Sequence, residues 1–80
     1  MRAITVYSTP NCPYCIELKQ YLAEQGLRYE EVDVAASSQA REALKAKAGT
    51  LAVPVIDIDG TVIIGFDVRK IESTLDAHRA

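Results

Sequence analysis

Between two apolar runs at residues 53–58 and 61–64 stands the dipeptide Asp59-Gly60. A two-residue connection of this composition marks a tight hairpin, because the primed turns that match strand twist need positive φ values, which Asp and Gly tolerate. The two runs are therefore expected to pair antiparallel as strands three and four. Pro54 has no N–H to give a sheet ladder, and it stands near the first position of its run, where that lack is tolerated. Upstream, residues 3–7 form a β-branched and aromatic run, closed by the turn formers Ser8, Thr9, Pro10 and Asn11.

Cys15, Leu18 and Leu22, supported by Ile16, Tyr21 and Ala23, recur at spacings of three and four and predict an amphipathic helix over 13–25, stopped by Gly26. Residues 28–34 predict a second strand, with clean alternation only at Val32 and Val34. Ser37 or Ser38 is expected to cap a second helix through Ala40, Ala43, Leu44 and Ala48 to Gly49, with Glu42 near enough to its start to favour the dipole. Asp67 is placed to cap a third, carrying Val68, Ile71, Leu75 and Ala77. The order is β-α-β-α-β-β-α. Strands one and two, separated by a helix, should be parallel through a right-handed crossover, which together with the hairpin makes a mixed four-stranded sheet in an α/β domain. The three helices must cover its faces to bury their apolar stripes.

Eighty residues suit one domain, 1–80, around one small core. With 49 % hydrophobic and 25 % charged residues the chain is expected to fold, and nine Lys and Arg against eleven Asp and Glu lack the basic footprint of a nucleic-acid binder. The opening residues turn polar too soon for a secretion signal or a membrane span, so a cytoplasmic protein with no membrane partner is expected. Nothing in the pattern asks for more than a monomer.

Cys12 and Cys15 are the two cysteines, too few for a disulfide framework, and their spacing points to redox chemistry or half a metal site. Pro13 fits the first position of the helix and leaves Cys12 at the N-cap, where unpaired amides and the positive end of the macrodipole are expected to favour the thiolate. Cys15, on the same face, is within reach of a disulfide with Cys12. Thiol–disulfide exchange needs a thiolate nucleophile and a second thiol to resolve the mixed disulfide, and this segment supplies both. A zinc site needs four ligands, and the one histidine, His78, is read instead as a charge at the end of the last helix, so no metal is expected. Lys19, four residues beyond Cys15 on the helix, is read as a solvated lysine beside Glu17 in preference to an electrostatic aid to Cys15, and Glu30, Glu31 and Asp33 as solvent-facing charges that discourage sheet-to-sheet pairing. Taken from the residues alone, Pro54 is a strand-start proline with a trans bond and Tyr14 a solvated aromatic.

With Cys12-Pro13-Tyr14-Cys15, Val53-Pro54 and Gly65 at comparable spacings over nearly its whole length, the chain resembles the glutaredoxin-like proteins of the thioredoxin superfamily. Residues 53–60 and Gly65-Phe66-Asp67 are most similar to the small bacterial redoxins. The resemblance implies a thioredoxin-like fold and a dithiol–disulfide oxidoreductase that acts on protein disulfides or glutathione mixed disulfides through Cys12 and Cys15. It further implies a cis Val53-Pro54 bond beside the thiols, with Val53 presenting its backbone to a substrate, and Tyr14 packed against glutathione, a co-substrate and not a tightly bound cofactor. Departures accompany it. Thr9 stands where the family has a basic residue that holds a glutathione carboxylate, Ala52 where it has Thr, Ile64 where it has the first of two glycines, and Val68 where it has an aspartate. Gly65 and the amides that open the third helix, around Asp67, are then left to hold a carboxylate, and Phe66 either meets a protein partner or packs beneath that helix. Thr9 and the Gly65-Phe66 pair favour an alternative electron source, thioredoxin reductase, for a redoxin that donates electrons, for example to ribonucleotide reductase, whereas the Pro13-Tyr14 dipeptide favours glutathione. A third reading, a dimer holding an iron–sulfur cluster between two Cys12 thiolates, is opposed by Pro13 and Cys15.

Overall fold

The computed structural model describes residues 3–77; His78 and its expected helix-end charge lie outside them. The elements follow as β1 (Ile4–Ser8), α1 (Pro13–Glu24), β2 (Glu30–Asp33), α2 (Ser38–Ala48), β3 (Val55–Ile58), β4 (Thr61–Ile64) and α3 (Val68–Ala77). This is the predicted order. In space the strands run β2-β1-β3-β4. β1 is parallel to β2, with Val6 opposite Glu31, and antiparallel to β3, with Val6 opposite Ile56. β3 and β4 form the hairpin, and its turn takes φ values of 50° at Asp59 and 95° at Gly60, both positive as a primed turn requires.

Side chains alternate across a strand, so the sheet sorts its residues between two covers. Ile4, Val6, Ile56, Ile58 and Ile63 face Leu18 and Leu22 of α1 and Ile71 and Leu75 of α3. Tyr7 and Val55 face the other way, with Val34 and with Leu44 of α2. The central strand β3 is covered on both faces, and all four of its residues are buried. Asp57 is among them. A buried carboxylate is costly unless partnered, and here it forms an ion pair with Lys47 of α2 and accepts the Gly60 amide at 2.8 Å. The Lys47 ammonium also lies 5.6 Å from the centroid of the Tyr7 ring.

Strand ends differ from expectation where pairing stops. β2 is an edge strand whose ladder with β1 spans only Thr5–Glu30 to Ser8–Asp33, which leaves Arg28 and Tyr29 outside it. β3 begins at Val55, after Pro54. The caps fall largely where they were read. Ser37 Oγ accepts the Ala40 amide at 3.1 Å, Gly49 closes α2 at φ 73°, and Asp67 Oδ1 accepts the Lys70 amide at 3.2 Å. Glu42 lies beyond the first turn of α2, too far along to favour the dipole, whereas Lys45 and Lys47 sit in its last turn and match its negative end. Among the described residues no helix is long and apolar enough to cross a membrane.

Candidate active site

Strand register brings three loops to one end of the sheet. Tyr7 pairs with Val55, and Val55 with Ile64, so the cysteine loop leaving β1, the Val53-Pro54 segment entering β3 and the Gly65-Phe66-Asp67 segment leaving β4 emerge side by side. The Val53-Pro54 bond is cis, as the resemblance implies. The Gly65 amide donates to the Pro54 carbonyl at 2.8 Å and ties the second loop to the third.

Cys12 is the N-cap of α1 in extended backbone, with Pro13 following it. Its carbonyl accepts the Ile16 amide at 3.2 Å, and its sulfur accepts the Cys15 amide at 3.3 Å, one of the donors that a helix start leaves without a partner. Both thiols are free; Cys12 is half-buried, whereas Cys15 is 0 % exposed. Burial pushes the Cys15 thiol up to about 11, and its hydrogen bond with Cys12 adds to this, while the Thr9 backbone and Lys19 oppose it. One sulfur is thus reachable and the other is kept protonated inside.

Around the thiols, Tyr14 and Ile16 are exposed on the first turn of α1. Val53 is half-buried against the α2-side core. The expected carboxylate site is narrower than the sequence suggests, because the Gly65 amide is already engaged by Pro54. The amides of Val68 and Arg69, which open α3, have no intrahelical acceptor, whereas the Asp67 carboxylate is committed to the Lys70 amide. Phe66 packs against the core, its ring edge-on to Tyr21 with centroids 6.0 Å apart, so it lies in the packed arrangement of its two readings.

Glu31 is exposed on the edge strand, as read from the sequence, whereas Lys19 corrects the sequence reading: it is half-buried and not loose beside Glu17, and its Nζ lies 2.7 Å from Glu31 Oε2. The buried Ser8 hydroxyl donates to the same oxygen at 2.9 Å. Lys19 holds the Glu31 carboxyl below the usual carboxylate range, with help from Ser8, and Glu31 holds the Lys19 ammonium above its own. Alternation puts Glu31 on the α1 side of the sheet together with Tyr29, a placement visible only once β2 is registered on β1. Among the described residues no group of three or more His, Cys, Asp or Glu side chains is placed to hold a metal ion.

Residues 4–63 match the family model described as Glutaredoxin. The chain belongs to the glutaredoxin family. It is 37 % identical over 73 residues to a glutaredoxin-like 8.6 kDa protein in a rubredoxin operon of Clostridium pasteurianum, a match covering 91 % of this chain and 97 % of the relative. To a glutaredoxin of Pseudomonas aeruginosa it is 37 % identical over 67 residues, covering 84 % and 80 %. Among solved structures, a mutant of the thioredoxin-like protein BC3987 superposes with a TM-score of 0.87 at 36 % identity, covering 95 % of this chain and 97 % of the other. The fold is therefore thioredoxin-like, with the cysteine pair in the Cys-x-x-Cys position of glutaredoxins, and family membership supports thiol–disulfide redox chemistry.

Proposed function

We propose that this glutaredoxin reduces disulfides in two exchanges, with Cys12 as the nucleophile and Cys15 as the resolver. The observation that carries the assignment is the asymmetry of the pair: Cys12 is accessible and receives an amide hydrogen bond at its sulfur, whereas Cys15 is enclosed and holds its proton up to about pH 11. The Cys12 thiolate attacks a foreign disulfide, forming a mixed disulfide and releasing one thiol. Cys15 then attacks Cys12, the second thiol leaves, and the two electrons gained by the substrate are those given up in forming the Cys12–Cys15 bond. Val53, Pro54 and the exposed Tyr14 shape the groove for a protein disulfide or a glutathione mixed disulfide, and Pro13 supports the loop by opening the helix.

The partner that resets the disulfide is glutathione or thioredoxin reductase, and three observations favour the reductase. Thr9 carries no charge for a glutathione carboxylate, the Gly65 amide is taken by Pro54, and Asp67 caps α3. Losing charged hydrogen bonds costs about 1.5 to 3 kcal/mol each, tenfold or more in affinity. The test runs the oxidised protein in parallel with glutathione plus glutathione reductase and with thioredoxin reductase, following NADPH. Turnover with the second alone is the expected result; turnover with the first alone would make glutathione the reductant. Cys12→Ser should be inactive with either, and Cys15→Ser should accumulate mixed disulfides; a fully active Cys12→Ser protein would reverse the roles.

A further inference from the structure

Lys19 stands four residues beyond Cys15 on α1, so the two side chains share a helix face. Its ammonium is fixed by Glu31 of β2 at 2.7 Å, and Glu31 is fixed in turn by the Ser8 hydroxyl at the end of β1. Ser8 is 1 % exposed and is bonded covalently to Thr9, whose backbone favours the thiolate form of Cys15. The cation on the face of an enclosed thiol is therefore anchored by a carboxylate that is itself anchored, and that thiol must become a thiolate to act.

We infer that Lys19 and Glu31 are a positioning pair that sets the rate of the second exchange: Lys19 stabilises the thiolate forming at Cys15, and Glu31, by holding and partly neutralising Lys19, restrains it. The inference rests on Cys15 being the resolver. In that step Cys15 gives its proton to water and attacks the Cys12 sulfur, the bond from Cys12 to the substrate sulfur breaks as the Cys12–Cys15 bond forms, and the departing thiolate is free to take a proton from water. While the mixed disulfide exists, Cys12 bears no charge, so its coulombic opposition to the Cys15 thiolate is gone. Burial then remains against ionisation, and the Thr9 backbone and Lys19 remain for it. The groups involved are Cys12 and Lys19 from α1, Thr9 from the β1–α1 turn, and Glu31 from β2 with neighbouring Tyr29, both of which act on Lys19.

A tie that merely held α1 to β2 would make both substitutions weaken the same contact and move the rate the same way. A charge pair gives opposite signs. The experiment mixes the reduced full chain with half an equivalent of dithiobis(nitrobenzoate) in a stopped-flow instrument. The first nitrothiobenzoate appears in a bimolecular phase when Cys12 attacks, and the second in a concentration-independent phase when Cys15 resolves. Any gain in thiolate fraction is partly returned by the opposing fall in nucleophilicity, so a tenfold change in that fraction would leave a net effect on the rate of about threefold. Lys19→Gln should slow the second phase about threefold near neutral pH and move its pH profile upward. Glu31→Gln, whose amide oxygen still accepts from Lys19, should speed it about threefold and move the profile downward, and Lys19→Arg should keep the parent rate. Slowing by both Gln variants, or no change in either, would overturn the pair's role. Release of a single nitrothiobenzoate by the parent protein would show instead that Cys15 does not resolve, and the inference would fall with that reading.

Discussion

Burial moves the Cys15 thiol from its ordinary 9.0 to about 11, with the hydrogen bond to Cys12 adding to the rise and the Thr9 backbone and Lys19 opposing it. Between those two values the folded chain binds a proton that the unfolded chain has released. Stability from this thiol is whole below about pH 9 and is lost as the pH climbs towards about 11, by at most about 1.4 kcal/mol per pH unit. Tyr21, raised chiefly by burial, and Lys19 and Lys47, raised by their carboxylate partners, tilt the curve the same way. The informative comparison is therefore urea unfolding of the reduced parent and of Cys15→Ala across that range, with a flatter dependence expected for the variant; matching slopes would show that burial of Cys15 carries no linkage. The placement of this pair was legible because it is local. Pro13 fixes the helix start, and only Pro13 and Tyr14 stand between the two cysteines. Lys19 with Glu31 was not legible, since that contact joins two elements through the register of β2 on β1, and in isolation each residue reads as an ordinary surface charge.

At the scale of elements, the punctuation carried most of the information. Ser37, Gly49, Asp59-Gly60 and Asp67 mark ends whose hydrogen bonds or φ values the structure contains. What they could not mark was where strands run out of partners, which is why β2 and β3 are shorter than the segments predicted for them. Asp67 stands in two roles, as cap of α3 and as a residue of the proposed carboxylate site, and the two separate by substitution. Asp67→Ala should cost about 1 kcal/mol in urea unfolding, the usual value of a cap, while Asp67→Ser keeps an oxygen for the Lys70 amide and should stay within a few tenths of a kcal/mol of the parent. An Ala variant as stable as the parent would mean that the bond at 3.2 Å contributes nothing to the helix. Any change in turnover with glutathione shared by Ala and Ser, despite their different stabilities, would report on the carboxylate itself.

For the whole molecule, the two-sided cover of the sheet decides what the alternation along β3 means. A strand reading Val-Ile-Asp-Ile suggests one wet face, yet sheet order puts β3 between β1 and β4, with α1 and α3 on one side and α2 on the other. Asp57 is 8 % exposed as a result, and it is partnered by Lys47 from α2 and by the Gly60 amide from the adjoining hairpin turn. Removing one member of such a pair leaves the other charge enclosed, whereas replacing both by apolar groups of similar volume is often neutral. Lys47 remains partly in water, so Lys47→Met should cost about 1 to 3 kcal/mol, at the lower end of what a fully buried pair would lose. In the Lys47→Met, Asp57→Val double variant most of that loss should return, because no carboxylate is left to desolvate and Val continues the apolar surface beside Tyr7 and Val55. Urea midpoints of the parent, the two single variants and the double variant close the cycle. Additive losses would assign the packing of α2 to its apolar residues alone; recovery in the double variant would show that the enclosed charge, once unpartnered, is what loosens the α2 side of the sheet.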